Sequence, residues 1–159
     1  MSRDEIKQTV DDFLSLVEKG CGSPEENESR LKFLLDKLAL ARHFAEFEYD
    51  DKDYPDVPNL EHKKLMILAR ERFPACDGDY TVTLNVTDIV RFLEKPDFGI
   101  RMAADDIADI AGDLYEVKWR WENNSPEDGL WYFTLSFDSH WENHLRGFQY
   151  YLNELKNIA

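Results

Sequence analysis

The chain has 159 residues, a formal charge of −14 and 43% apolar residues, many of them aromatic. That is enough for one domain with a real core and excludes a disordered acidic tail. The charge repels phosphate backbones and anionic lipid, so nucleic acid and membrane are excluded as partners, whereas a basic protein or cations suit it. With no apolar leader and no run long enough to span a bilayer, a soluble cytoplasmic protein is expected.

Periodicity predicts an all-α, single-domain helical bundle of about five long helices plus one short one, spanning 1–159 and ending in a long antiparallel hairpin. The first helix covers 3–19, with Ile6, Val10, Phe13 and Val17 as its stripe and Gly20 as its stop. The second covers 24–47 and opens on Ser23, Pro24 and Glu26: a cap, a proline and an acid three residues after the cap. Its apolar positions, Leu31, Phe33, Leu34, Leu35, Leu38, Leu40, Ala41, Phe44, Ala45 and Phe47, occupy so much of the circumference that it is expected to be the central helix.

Residues 48–59, EYDDKDYPDVPN, carry five acids and two prolines and read as a loop. No register places acids at 1, 3 and 5, glycine at 6 and glutamate at 12, so an EF-hand is excluded. A third helix is predicted over 60–73, capped by Asn59 and halted by Pro74. It is the most basic stretch of the chain and includes His62. Tyr80, Val82, Leu84 and Val86 alternate like a strand, but no second strand is predicted to pair with them. A short helix follows over 87–95. Cys21 and Cys76 lie in loops and are too few for a disulfide framework.

The last two helices, 98–122 and 126–157, carry the chemistry. Ile100, Ala103, Ile107, Ile110, Leu114, Val117 and Trp121 form a helix-pairing seam. After Ser125 and Pro126, Phe137, Trp141, Leu145, Phe148, Tyr151 and Leu155 recur at helical spacing. His140 and His144 lie four residues apart on one face. An antiparallel register brings Asp109 level with His140, Asp105 and Asp106 level with Asn143 and His144, and Asp113 level with Ser136.

Three readings follow. The first is a structural Asp–His network, which base rates favour and to which Asp105 and Asp113 would belong. The second is a divalent metal (zinc, iron or manganese) held by His140, His144, Asp106 and Asp109. The third is a His–Asp general base. HExxH is absent, as are the ExxH motif of di-iron bundles, GxSxG, the P-loop and the dinucleotide fingerprint. Ser136, one turn before His140, sits within a helix and not on a nucleophile elbow.

AADDIADIAGDLYEVKW (103–119) and LWYFTLSFDSHWENHLRGF (130–148), with weaker echoes in LKFLLDKLALA (31–41) and ERFP (71–74), resemble the bacterial domain-of-unknown-function family number 5063. The resemblance is specific in the last third of the chain and implies an all-helical fold with no assigned activity. Asp105, Asp106, Asp109, Asp113, His140, Trp141 and His144 match that pattern, and VKWRWENN departs from it. With no catalytic motif, the leading expectation is a non-enzymatic interaction module that docks a basic protein partner. Trp119, Trp131, Asp50, Asp51 and Asp53 are its candidate surface. The metal-binding protein is the alternative.

Overall fold

A computed structural model describes residues 1–158 of the chain. In order the elements are α1 (Arg3–Lys19), α2 (Pro24–Arg42), α3 (His62–Arg72), a 3-10 turn (Pro74–Asp77), β1 (Asp79–Thr83), α4 (Ile89–Glu94), β2 (Phe98–Met102), α5 (Ala103–Asn123), α6 (Pro126–Ser136), a π-helical turn (Phe137–Trp141) and α7 (Glu142–Leu155). The expected helical bundle is present, and among the described residues no helix is long and apolar enough to cross a membrane.

The start signals behave as their chemistry demands. Ser2 and Ser23 each accept from the amide three residues on, and Glu5 and Glu26 close the reciprocal bond. Ser125 accepts from Asp128 N, with Pro126 in the first helical turn.

The central helix is α5, not α2. α5 packs against α1, α3, α6 and α7, and Ile107, Ile110, Leu114 and Val117 along its seam are fully buried. α2 buries Leu31, Leu34, Leu35 and Leu38 but leaves Phe33 at 51% and Leu40 at 49% exposure. Phe33 is covered by the cations of Arg30 and Lys37, 5.1 and 5.8 Å from its ring centre. A helix apolar over most of its circumference does not announce which side its neighbours will cover. α2 also ends at Arg42 instead of continuing to Phe47; beyond its end the guanidinium of Arg3 donates to the carbonyl of Glu46.

Two further expectations are corrected between residues 60 and 102. α3 begins at His62, and its N-cap Glu61 makes no side-chain capping bond, so Asn59 is not the cap. The lone strand has a partner. β1 pairs antiparallel with β2, Asp79 opposite Met102 and Thr83 opposite Phe98. The periodicity predicts the residues of β2 as the start of the last helix but one, yet Ile100 is 79% exposed instead of lining a seam. Tyr80 stacks on Tyr151 at 4.7 Å, and Arg101 donates to the carbonyl of Asn143, so the inner face of the ribbon is tied to α7. Its outer face carries exposed Phe98, Ile100 and Met102, with Ile89, Val90 and Leu93 of α4 exposed beside them.

The α5–α6 approach is tight. A Cβ at Gly129 would stand 2.8 Å from Trp121 Cβ and 3.0 Å from its Cα, so only glycine lets the two helices close at the turn. Beyond α6 the predicted single helix passes through the π turn. Trp141 is fully buried, packed edge-on against Phe133 and Phe137 at 5.4 and 4.6 Å. Its indole Nε1 donates to Ser136 Oγ at 3.0 Å.

Candidate metal centre

α5 supplies four acids from its inward and rim positions: Asp105, Asp106, Asp109 and Asp113. α3 brings His62, the π turn His140, and α7 His144. The relative height of α3 and α5 is set by buried Leu65 and Ala69, with Leu65 3.8 Å from where a Cβ of Gly112 would stand. The height of α7 is set by Trp141, Leu145 and Phe148.

Each histidine is held at one nitrogen by its own carboxylate. His144 Nδ1 donates to Asp106 Oδ1 at 2.8 Å, His140 Nδ1 to Asp113 Oδ2 at 2.6 Å, and His62 Nε2 to Asp105 Oδ1 at 2.7 Å. The remaining nitrogen of each ring is turned to one acid. His144 Nε2 is 3.3 Å from Asp109 Oδ2, while His62 Nδ1 and His140 Nε2 are 3.8 and 4.0 Å from Asp109 Oδ1. Among the described residues Asp109 accepts no side-chain hydrogen bond; its three imidazole neighbours are too distant or too poorly aligned.

The electrostatics follow from burial and pairing. Asp106, 1% exposed, also accepts from the Tyr80 hydroxyl and has Arg101 Nη1 3.9 Å from Oδ1. Burial, reinforced by Asp106, pushes the Tyr80 phenol far up. The hydrogen bond to Asp106 raises the pKa of His144. Burial raises the Asp109 carboxyl above its ordinary value, against the pull of His144. Asp113 also accepts from Tyr132 at 3.1 Å.

Two groups of side chains present ligand atoms within 4.8 Å of one another: Asp109 with His140 and His144, and His62 with Asp105 and Asp109. Of the candidate metal ligands, Asp109, His140 and His144 come together as predicted. Asp106 instead backs His144 from behind, as Asp113 backs His140. The expected register holds for Asp106 and His144. His140 sits between Asp109 and Asp113 instead of level with Asp109 alone. The π turn uses more residues per turn, so His140 climbs less far from the hairpin bend. Asp113, expected beside Ser136, therefore meets the imidazole.

Sequence reasoning missed His62 as a site residue. Its place in a basic, solvent-facing stretch suggested nothing else, and the four-residue spacing that marked His140 and His144 has no counterpart across two separate helices. Ser136 is buried, with its hydroxyl donating to Tyr132 O and accepting from Trp141, so it is no exposed nucleophile. Burial pushes the Cys76 thiol far up.

The candidate partner surface is partly packed. Trp131 meets Tyr49 and Tyr132 edge-on or tilted, with Arg120 5.6 Å over its ring. Trp119 lines a cavity of about 470 Å³ with Val57, Leu60 and Tyr115, under the 45–61 loop. Asp50 is engaged by Tyr54, Ser125 and the amide of Lys52. Asp51 and Asp53 remain exposed.

No protein-family model matches the chain, and no curated protein does. Among solved structures, the crystal structure of protein BF1032 from Bacteroides fragilis is similar over 96% of this chain and 90% of that one, at a TM-score of 0.64 and 18% identity. At that identity the likeness shows the fold alone.

Proposed function

We propose that the chain is a divalent-metal-binding helical protein whose ion is held by Asp109, His140 and His144. One observation carries this reading. Imidazole nitrogens stand 3.3 and 4.0 Å from the Asp109 carboxylate without an aligned hydrogen bond. Ligand atoms at about 2.0–2.2 Å from one zinc or iron ion are separated by roughly 3–4 Å, so the spacing fits a shared cation. The chemistry agrees. Each imidazole gives its N–H to an outer carboxylate, which leaves a lone pair facing another acceptor. Two acceptors facing each other repel unless a metal cation or a proton lies between them. Outer carboxylates on the distal nitrogen are the usual way a protein fixes metal-binding histidines. In a purely structural network, Asp109 would be expected to take one of these rings as a hydrogen-bond donor.

The resemblance to family number 5063 falls on the same acids and histidines, and membership of it is part of the proposal. Two imidazoles and a carboxylate suit zinc or iron, and manganese less well. Titration of metal-free protein with Zn²⁺, followed by elemental analysis after desalting, tests the proposal. About one tightly held equivalent is expected, lost in Asp109→Asn, His140→Ala and His144→Ala. Failure of the wild type to retain metal, or retention unaltered in all three variants, would sink it.

Docking of a basic protein partner is the second reading. It is supported by the −14 charge and by exposed Asp51 and Asp53 in the 45–61 loop. Co-purification from the native host with and without reversal of Asp51 and Asp53 tests it; identical partner profiles would remove it.

A further inference from the structure

We infer that the chain pairs with a second copy of itself across a twofold axis, through the outer face of the β1–β2 ribbon and the helix α4 that joins its strands. The inference is independent of the metal reading above.

No residue from Asp77 to Met102 is buried. The stretch nevertheless has the composition of an interior. In α4, Ile89, Val90, Phe92 and Leu93 are apolar, and the helix buries none of its six residues. So short a helix is not stable in water by itself, and one apolar around most of its circumference belongs under cover. Phe92 meets Phe98 edge-on at 5.6 Å, which joins α4 to the outer face of the ribbon as one patch. Val86, Ile89, Val90, Leu93, Phe98 and Ile100 are each 58–79% exposed. Together they leave on the order of 700 Å² open, more than the roughly 300–600 Å² of the largest patch on a typical monomer and close to the about 800 Å² that each partner gives to a specific interface. The patch is of the size that one half of a stable dimer needs.

Shape and charge make the second copy the fitting occupant. Thr83, Val86, Ile89 and Phe92 line a recess of about 160 Å³, and Leu93, one turn from Ile89, stands out at 74% exposure. Knob and recess lie on the same patch, so a twofold axis seats each copy's knob in the other's recess. Residues 79–102 carry four acids and three bases, close to neutral in a chain of formal charge −14. Two copies can meet there while their acidic bodies stay apart. Around the patch, exposed Arg91 and Lys95 are interspersed with exposed Asp88, Glu94 and Asp97, so the rim is complementary to its own twofold mate. A strongly basic partner would meet the two cations at this face, and an anionic lipid surface would meet the three acids.

Sedimentation equilibrium of the full chain, as wild type, Leu93→Asp and Ile100→Asp, tests the proposal. Both side chains face solvent in the single chain, so the variants keep their core, which circular dichroism verifies. At micromolar concentration the wild type is expected at twice its chain mass of 18.7 kDa. Each variant should dissociate at least 100-fold more readily, and Arg91→Glu combined with Lys95→Glu, which leaves the rim with one sign of charge, about tenfold more readily. A wild type that stays monomeric overturns the inference, as does a dimer whose dissociation constant is unaltered in both apolar variants. A monomeric wild type that binds phosphatidylcholine vesicles, with binding lost in Leu93→Asp, would overturn it in favour of a lipid surface.

Discussion

Asp106 shows how much depends on the surroundings of one side chain. It is almost fully buried, accepts from His144 and Tyr80, and has Arg101 Nη1 3.9 Å from Oδ1. Asp106→Ala is therefore expected to cost about 1–3 kcal/mol in urea unfolding of the metal-free protein, because it removes the acceptor from two partly buried donors. Asp106→Asn, which keeps an acceptor, should cost less. A wild-type midpoint for Asp106→Ala would mean that water replaces the carboxylate. At this scale the sequence was informative about identity and less so about role. His140 and His144 were legible because both lie on one helix, whereas Asp106 as a backing acid and His62 as a site residue were not. Those roles depend on which nitrogen faces which oxygen, and spacing along a chain does not encode that.

The π turn is the element on which the geometry of the site hinges. It places His140 between Asp109 and Asp113, and it seats Trp141 in the core with its indole bonded to Ser136. A π turn is an α-helix carrying one extra residue. Deleting the exposed Ser139 should restore a continuous helix, keep α6 and α7 in phase and leave the far-UV signal unchanged. His140 should then lose Asp113, and Zn²⁺ affinity should fall to that of His140→Ala. Unaltered affinity in the deletion would show that the turn is not needed to present the imidazole. Periodicity could not find this turn, because the apolar repeat through Phe137, Trp141 and Leu145 reads equally well as an uninterrupted helix. The β1–β2 ribbon was hidden for a related reason. Phe98, Ile100 and Met102 alternate too briefly to outweigh the helical pattern that follows them.

For the whole molecule, acids far outnumber bases, and some of the ion pairs join helices. Asp11 of α1 accepts from Lys7 at 2.7 Å and from Lys118 of α5 at 2.9 Å. Burial alone would raise its carboxyl, but the two lysines outweigh it and the net shift is downward. A carboxyl depressed on folding stabilises above its unfolded value of about 3.9 and loses that contribution as pH falls through the folded value. Asp11→Asn should therefore melt below the wild type at pH 7, and the gap in Tm should close as the pH is taken toward 3. A gap that persists at low pH would assign the effect to packing. The sequence by itself determined the helical class, the caps at Ser23 and Ser125, the closing hairpin and the two histidines that face α5, because each rests on interactions within a few turns of one chain segment. The tertiary structure alone decided that α5 is the centre, that β2 exists, and that His62 of α3 also faces Asp109. Those outcomes depend on which apolar faces cover one another and at what height, a competition among distant segments whose local patterns are equally satisfied by several arrangements.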